Sequence, residues 1–515
     1  MLSAADLPTP IRKFLLDSGL ETEAPFERRI FTNRDLNFES VSIIGFDMDY
    51  TLAIYRQNEI EAMSISTTTD KLLARGYPEA LRAMPMDPHF AIRGLTVDRQ
   101  LGNVIKMDHH GYVGRAYHGL RKLERPERKA IYRDQRLGKE RERFAAVDTL
   151  FALPEVTLFA AVVDLIDRAP ESFRTGAQPP SYAEAWLDVR ECIDLAHRDG
   201  SIKDHVRDDP GRFIEKDPDL ARTLHQLRSA GKKLFVLTNS LFDYTEVVMR
   251  YLLDDALESY PDWTAYFDWV VVGAAKPGFF VENAPFQEID RSGAAVGGGK
   301  SQVQRGKIYQ GGNQLGLQES LGGFPDEVLY VGDHIYGDIV RSKKSSGWRT
   351  ALIVQELQHE LCVRRDWELT LREISSLHGL RSRLAEEIGA HRYLARTLSR
   401  LDAEELVGTG VSHTEAARVL EATRTDLRRR LDWLRTYEQE TRDTLERRGK
   451  DVDAAFNPYW GSSFAERHDT SRFGAQVESF ACIYTSRVSN FLFASPAKYF
   501  ISPHGSLPHW APPVG

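Results

Sequence analysis

Val41-Ser42-Ile43-Ile44-Gly45-Phe46-Asp47-Met48-Asp49-Tyr50-Thr51 joins a short, apolar, β-branched run to a pair of carboxylates. An apolar run without polar alternation reads as a strand covered on both faces, as in a parallel sheet. Other runs share this form. Residues 233–237 end in Thr238-Asn239-Ser240, and residues 327–331 end in Gly332-Asp333, while 269–272 and 350–354 supply two more. Helical patterns at 220–229 and 244–253 lie between them. Strands alternating with helices predict an α/β fold with a doubly wound parallel sheet. Such sheets bind ligands beyond the carboxyl ends of their strands, which is where the polar clusters fall.

Four clusters carry chemistry. Asp47 at a strand end can act as a nucleophile toward phosphorus. Asp49, two residues on, faces the same side and can give a proton to a leaving oxygen and later take one from water. Thr238 and Asn239 follow a second strand, where a hydroxyl and backbone N–H groups can hold phosphoryl oxygens; a Ser or Thr there is equally a helix cap. Lys276, in Ala275-Lys276-Pro277, can neutralise charge on nucleophile and phosphate. Asp333 and Asp338, in Gly332-Asp333-His334-Ile335-Tyr336-Gly337-Asp338, suit Mg²⁺, a hard ion that takes oxygen ligands. Asp47, the Asp49 carbonyl and Asp333 would hold it, with Asp338 in support. Taken singly the last three clusters are modest, since polar loops and solvated lysines are common; the order, each at the end of its own apolar strand, makes the joint signal.

Between the first and second strands lie nearly 190 residues, too many for one crossover. The expected organisation is a discontinuous core (27–72 and 187–365) with an inserted cap (73–186) of helix-like and loop-like stretches. Residues 157–166 in the cap read as a buried helix. Residues 366–456 read as a helical hairpin turning at 408–410. There Leu420, Leu427, Leu431 and Leu434 recur at helical spacing, and Arg424, Arg428, Arg429, Arg430 and Arg435 read as a solvated face. The aromatic tail, 457–515, is expected to pack on the core.

The chain has 515 residues, 42% hydrophobic and 28% charged, with a net charge of −8. That charge disfavours non-specific nucleic-acid binding. Cys192, Cys362 and Cys482 are widely spaced, so neither a disulfide framework nor a zinc cluster is expected, and a reducing cytoplasmic location fits. The first ten residues lack the pattern of a signal peptide, and the apolar stretch at 157–166 is too short to span a bilayer. No membrane partner is expected; homo-oligomerisation is left open.

The order Asp47-x-Asp49-x-Thr51, Thr238, Lys276 and Asp333 resembles the motif set of the haloacid dehalogenase superfamily. Phe46 to Ala53 is similar to the nucleophile motif of the cytosolic purine 5′-nucleotidases, which prefer IMP and GMP. So are Arg93-Gly94-Leu95, Leu101-Gly102-Asn103, Thr149-Leu150-Phe151 and the run from Gly332 to Asp338 with Ser342-Lys343-Lys344. The resemblance covers residues from about 27 to about 500. It implies a Mg²⁺-dependent phosphomonoesterase that passes through an aspartyl-phosphate, releases phosphate from purine nucleoside monophosphates and also transfers it to nucleosides. It implies that Arg190 and Asp194 read base and sugar, that His197 and Phe151 sandwich the purine, and that Lys203 contacts the phosphate. Without the resemblance, Arg190, Asp194 and His197 would read as the surface of an amphipathic helix. Ala152 stands where the family has Asn, which keeps a sugar phosphate or a pyrimidine nucleotide as alternative substrates. A nucleotide-binding scaffold is the rival class; it would need no nucleophile.

Two further patterns carry no site. Gly297-Gly298-Gly299-Lys300-Ser301 lacks the glycine spacing and preceding strand of a phosphate loop and reads as a flexible loop. His109 and His110, near His118, lack a third ligand at metal-binding spacing.

Overall fold

The computed structural model describes residues 8–9, 24–133, 142–173, 178–335, 338, 346–407, 409–467 and 469–502. Tyr336, Gly337, the Ser342-Lys343-Lys344 run and Gly408 lie outside them. A nine-stranded sheet is built from β1 (Phe31–Thr32), β2 (Ile43–Phe46), β3 (Lys233–Leu237), β4 (Trp269–Val272), β5 (Phe286–Ile289), β6 (Ile308–Gly311), β7 (Val328–Gly332), β8 (Arg349–Ile353) and β9 (Ile483–Thr485). Its order is β1-β9-β8-β7-β2-β3-β4-β6-β5. The seven inner strands pair in parallel, and only β1 and β5 at the edges run antiparallel. This is the doubly wound α/β sheet expected from the apolar runs, and β2 sits between β7 and β3 at its centre.

Three inner strands are buried throughout: every residue of β2, β4 and β7 is interior. On one face Phe235, Trp269, Tyr309, Tyr330 and Trp348 pack into a single apolar cluster. Gly45 is required there, because a Cβ would lie 2.1 Å from the Phe235 ring. The large connection after β2 carries α1 (Gln57–Ala74), α2 (Leu153–Arg168) and α3 (Tyr182–Arg198). Helix α2 is buried from Leu153 to Leu165, as expected of its apolar stretch. Helix α3 opens with a capping box in which Ser181 and Glu184 exchange hydrogen bonds. Leu220–Ser229 forms α4 and Phe242–Leu253 forms α5.

The cap differs from its expectation. Besides helices it holds a five-stranded antiparallel sheet formed by Thr96–Asp98, Asn103–Met107, Val113–His118, Arg121–Lys122 and Phe144–Ala146. Charged residues hide these strands in the sequence. Lys106 is buried and donates to the carbonyls of Ser462 (2.5 Å) and Ala465 (2.7 Å), so a residue that reads as surface is interior. The tail also does more than cover the core. It supplies β9, and Phe473, Val477 and Ala481 pack with Leu352 and Val354.

By its internal packing the chain divides into two units, Met1–Leu361 with Ser462–Gly515, and Cys362–Gly461. The second is a pair of long helices, α6 (Glu368–Arg400) and α7 (His413–Phe456), around Leu384, Ile388, Leu431 and Leu434. Arg424 donates to the carbonyls of Leu398 and Leu401, closing the end of α6. Arg428, Arg429, Arg430 and Arg435 stand beside Glu421, Asp426, Glu387 and Asp432 at 3.3–3.8 Å, a solvated charged face. Among the described residues no helix is long and apolar enough to cross a membrane.

Candidate active site

Asp47 follows β2 directly. Its N–H continues the ladder to the Val331 carbonyl at 2.9 Å, and its Oδ1 accepts from the Met48 N–H at 2.7 Å. The side chain therefore stands at the carboxyl end of the central strand, flanked by the ends of β3 and β7. Lys276 reaches it from the loop after β4. The Lys276 Nζ lies 2.9 Å from Asp47 Oδ2 and 2.7 Å from Asp338 Oδ1, and donates to the Tyr330 hydroxyl (2.9 Å) and the Leu237 carbonyl (3.1 Å). Asn239 fixes this loop: its Oδ1 accepts from the Lys276 N–H at 2.6 Å and its Nδ2 donates to the Lys276 carbonyl at 3.0 Å.

Asp333 follows β7, and Asp338 folds back beneath Gly332. A Cβ at Gly332 would stand 2.6 Å from Asp338 Oδ2, so the close approach needs glycine. One carboxylate oxygen from each of Asp47, Asp333 and Asp338 falls within 4.8 Å of the others. Asp333 Oδ2 is buried with no hydrogen-bond partner. Three buried carboxylates face one ammonium, that of Lys276. Burial pushes the Asp333 carboxyl well above the carboxylate range, with Asp338 adding to it and Arg93 opposing. Burial does the same at Asp47; Lys276 opposes it, and Asp338 and Asp49 reinforce it. Burial works against the Lys276 charge, yet Asp338 and Asp47 outweigh it and hold the ammonium above the ordinary lysine range. An orphaned carboxylate oxygen among convergent hard donors fits a divalent cation such as Mg²⁺.

Asp49 is more open. Its Oδ1 accepts from the Tyr55 hydroxyl at 2.6 Å and its Oδ2 from Ser240 Oγ at 2.8 Å. Thr238 is wholly buried at the end of β3, and its Oγ1 accepts from the Ser240 N–H at 3.1 Å. A cavity of about 300 Å³ opens over these groups, lined by Asp47, Asp49, Asn239, Lys276, Pro277, Asp333, His334 and Asp338 from the core and by Thr149 and Phe151 from the cap.

The residues expected to read the base lie on and just after α3, and Phe151 just before α2. Arg190, Asp194 and His197 share one face of α3 opposite the buried Ala185, Val189, Cys192 and Ala196. Arg190 and Asp194 are exposed and His197 is half-buried. Burial lowers the His197 pKa, and Lys203 lowers it further. Lys203 Nζ sits 5.0 Å from the Tyr244 ring, whose hydroxyl bonds to that of Tyr55. Phe151 and His197, expected to sandwich the purine, are neighbours. The Phe151 and His197 rings are 5.8 Å apart at 87°, edge to face, so no parallel slot lies between them. Phe151 instead leans edge-on against Tyr50 at 4.6 Å.

The sequence reading gave no role to several groups that complete the site. Tyr55, Ser240 and Tyr330 bind Asp49 or Lys276, and single hydroxyls carry no sequence signal of their own. Arg93 donates from Nη1 to the Asp333 carbonyl at 2.9 Å. Its only signal was the Arg93-Gly94-Leu95 resemblance. Among the described residues no second cluster of metal-type ligands accompanies the carboxylate triad; His118 is engaged by Asn103 and Asp167.

Residues 30–512 match a family described as the 5′ nucleotidase family. A 5′-nucleotidase domain-containing protein of Dictyostelium discoideum is 28% identical over 93% of this chain and 74% of that protein. The 5′-nucleotidase domain-containing protein 2 of Homo sapiens is 32% identical over 64% of each chain. Among solved structures, CbbY from Rhodobacter sphaeroides in complex with phosphate aligns at 14% identity over 61% of this chain and 86% of that one, with a TM-score of 0.21, too low to carry an argument. The family match spans nearly the whole chain, so the chain belongs to the 5′ nucleotidase family, a family of phosphoric monoester hydrolases.

Proposed function

We propose that the protein is a Mg²⁺-dependent 5′-nucleotidase that hydrolyses purine nucleoside 5′-monophosphates, IMP and GMP preferred, through phosphorylated Asp47. The observation that carries this reading is the placement of Asp47 against Lys276 within the triad of Asp47, Asp333 and Asp338. A carboxylate held at a strand end with a cation-type donor set beside it is suited to attack phosphorus. Asp47 takes the phosphoryl group as the bond to the nucleoside O5′ breaks. Asp49, at the cavity mouth, gives its proton to O5′ and then takes one from the water that hydrolyses the acyl phosphate. A nucleoside hydroxyl in place of that water makes the reaction a phosphotransfer. Lys276 and the Thr238–Asn239 turn offer positive charge and donors to the equatorial oxygens.

Mg²⁺ would be held by Asp47, the Asp49 carbonyl, Asp333 and Asp338, and supplies charge neutralisation that lets phosphate approach the carboxylates. Phe151 and His197 offer an aromatic face to the base, and Arg190, Asp194 and Lys203 offer polar groups around it. The edge-to-face rings and Ala152 favour a second reading, with the same chemistry on a smaller phosphomonoester. Initial rates on IMP, GMP, UMP and a hexose phosphate, each with Mg²⁺, separate the two. A clear preference for IMP and GMP supports the first; equal rates on IMP and the hexose phosphate overturn it.

A further inference from the structure

Arg93 is the largest charged side chain held entirely inside the described structure, only 1% exposed. Three connections meet on it. Its Nε and Nη2 grip both oxygens of Glu356, at 2.7 and 2.5 Å, and its Nη1 donates to the backbone carbonyl of Asp333 at 2.9 Å. The guanidinium also lies 5.1 Å from the ring of Phe473. These partners come from distant segments: Asp333 follows β7, Glu356 opens the helix Glu356–Asp366 after β8, and Phe473 lies in the tail helix Arg472–Phe480.

The planar fork explains why arginine is used. Two N–H groups satisfy the Glu356 carboxylate while a third points elsewhere, an arrangement a lysine cannot reproduce. Arg93 bonds the Asp333 main chain, and Asp333 Oδ2 is left without any hydrogen-bond partner. The Asp333 backbone is thus held while its Oδ2 is left unbonded. Glu356 has a second effect. A buried guanidinium next to a cation site would repel the cation, and the bidentate carboxylate cancels that charge.

We infer that Arg93 and Glu356 act as one positioning pair that sets the Asp333 carboxylate for the divalent cation and keeps the site's charge favourable to it. This rests on the cation reading proposed above. Arg93 is a positioning residue, because it reaches the site only through the Asp333 backbone.

The test is Mn²⁺ binding to the full-length, metal-free protein, followed by electron paramagnetic resonance, for the wild type, Asp333→Asn, Arg93→Gln and Glu356→Gln. Wild type binds, Asp333→Asn does not, and the two pair variants are expected to bind about tenfold or more weakly. Their phosphatase activity is expected to return toward the wild-type level as Mg²⁺ is raised, a rescue that a merely misfolded variant would not show. Wild-type affinity in both pair variants, with Asp333→Asn silent, overturns the positioning role and leaves the cation site standing. No Mn²⁺ binding by the wild type overturns both. Should Arg93→Gln fail to fold, the nearly isosteric Glu356→Gln decides.

Discussion

The Lys276 ammonium sits between two carboxylates, 2.9 Å from Asp47 and 2.7 Å from Asp338, at the carboxyl edge of the central sheet. Among the described residues it is therefore the one positive charge in direct contact with the proposed nucleophile. Its removal leaves buried like charges facing each other, which costs far more than a surface ion pair would. Lys276→Met is expected to lower kcat by about a hundredfold or more, and to lower the melting temperature unless Mg²⁺ is present. Phosphate release and thermal unfolding with and without Mg²⁺ check this; an unchanged kcat removes Lys276 from the mechanism.

Asp47→Asn keeps the shape of the site and takes away its nucleophile. Turnover is expected to fall by at least about a thousandfold, with no acid-stable label on the protein after brief exposure to ³²P-labelled substrate at low pH quench. Retained turnover in this variant would remove the aspartyl-phosphate from the reaction.

Three buried carboxylates around an orphaned oxygen predict that a divalent cation stabilises the fold. Chelation is expected to lower the melting temperature, and Mg²⁺ at about a hundred times its Kd to restore about 2.7 kcal/mol. Asp333→Asn is expected to abolish the Mg²⁺ response while stabilising the metal-free protein, since the fold no longer has to bury a carboxyl whose charged form burial disfavours. A Mg²⁺ response that survives in Asp333→Asn places the cation elsewhere.

Phe151 and His197 offer stacking surface to the base. Replacing either by Ala is expected to raise KM for IMP by about tenfold, in line with stacking energies of 1–3 kcal/mol per base, with kcat little changed. Burial and Lys203 hold the His197 pKa below its ordinary value, so the imidazole is neutral at pH 7. Its contribution to KM is expected to stay flat from pH 7 to 9. A kcat loss without a KM change would place these rings in the chemistry rather than in base binding.

Glu61 on α1 is buried, 1% exposed, and its Oε2 has no partner. Burial pushes its carboxyl up to about 8; the Gln57 hydrogen bond opposes this, and Asp87 and Glu356 add to it. The folded protein therefore holds a proton here that the unfolded chain loses near its ordinary value. Stability should fall as pH rises from about 4.5 to about 8 and level off above. Glu61→Gln is expected to remove that slope and to stabilise the protein at pH 8 by about 4 kcal/mol, with no gain at pH 4.5. Denaturant unfolding at the two pH values measures it; an equal effect at both would mean the group is not titrating.

The sequence by itself determined the sheet and the ends of its strands. β2, β3, β4, β7 and β8 were legible because a strand covered on both faces must be apolar throughout, and the polar residue after it must mark the sheet's edge. The helices were legible by the same logic: α2 because it is apolar and buried all round, and α4, α5 and the leucine stripe of α7 because each buries one face. The strands of the cap sheet were not. Their charged residues are satisfied by remote backbone, as Lys106 is by Ser462 and Ala465, a pairing that no local pattern encodes. The edge strand β1 and its short inner neighbour β9 escaped as well, since two or three residues carry no period.

The site divides in the same way. Asp47, Asp49, Lys276, Asp333 and Asp338 announced themselves by residue type at strand ends. Only the tertiary structure decided that Lys276 bridges Asp47 and Asp338, that Asn239 clamps the Lys276 backbone, and that Phe151 meets His197 edge to face. The physical reason is distance along the chain. A strand end places its own side chain, but Arg93 and Asp333, 240 positions apart, must be brought together before one guanidinium can hold the carbonyl that aims a carboxylate.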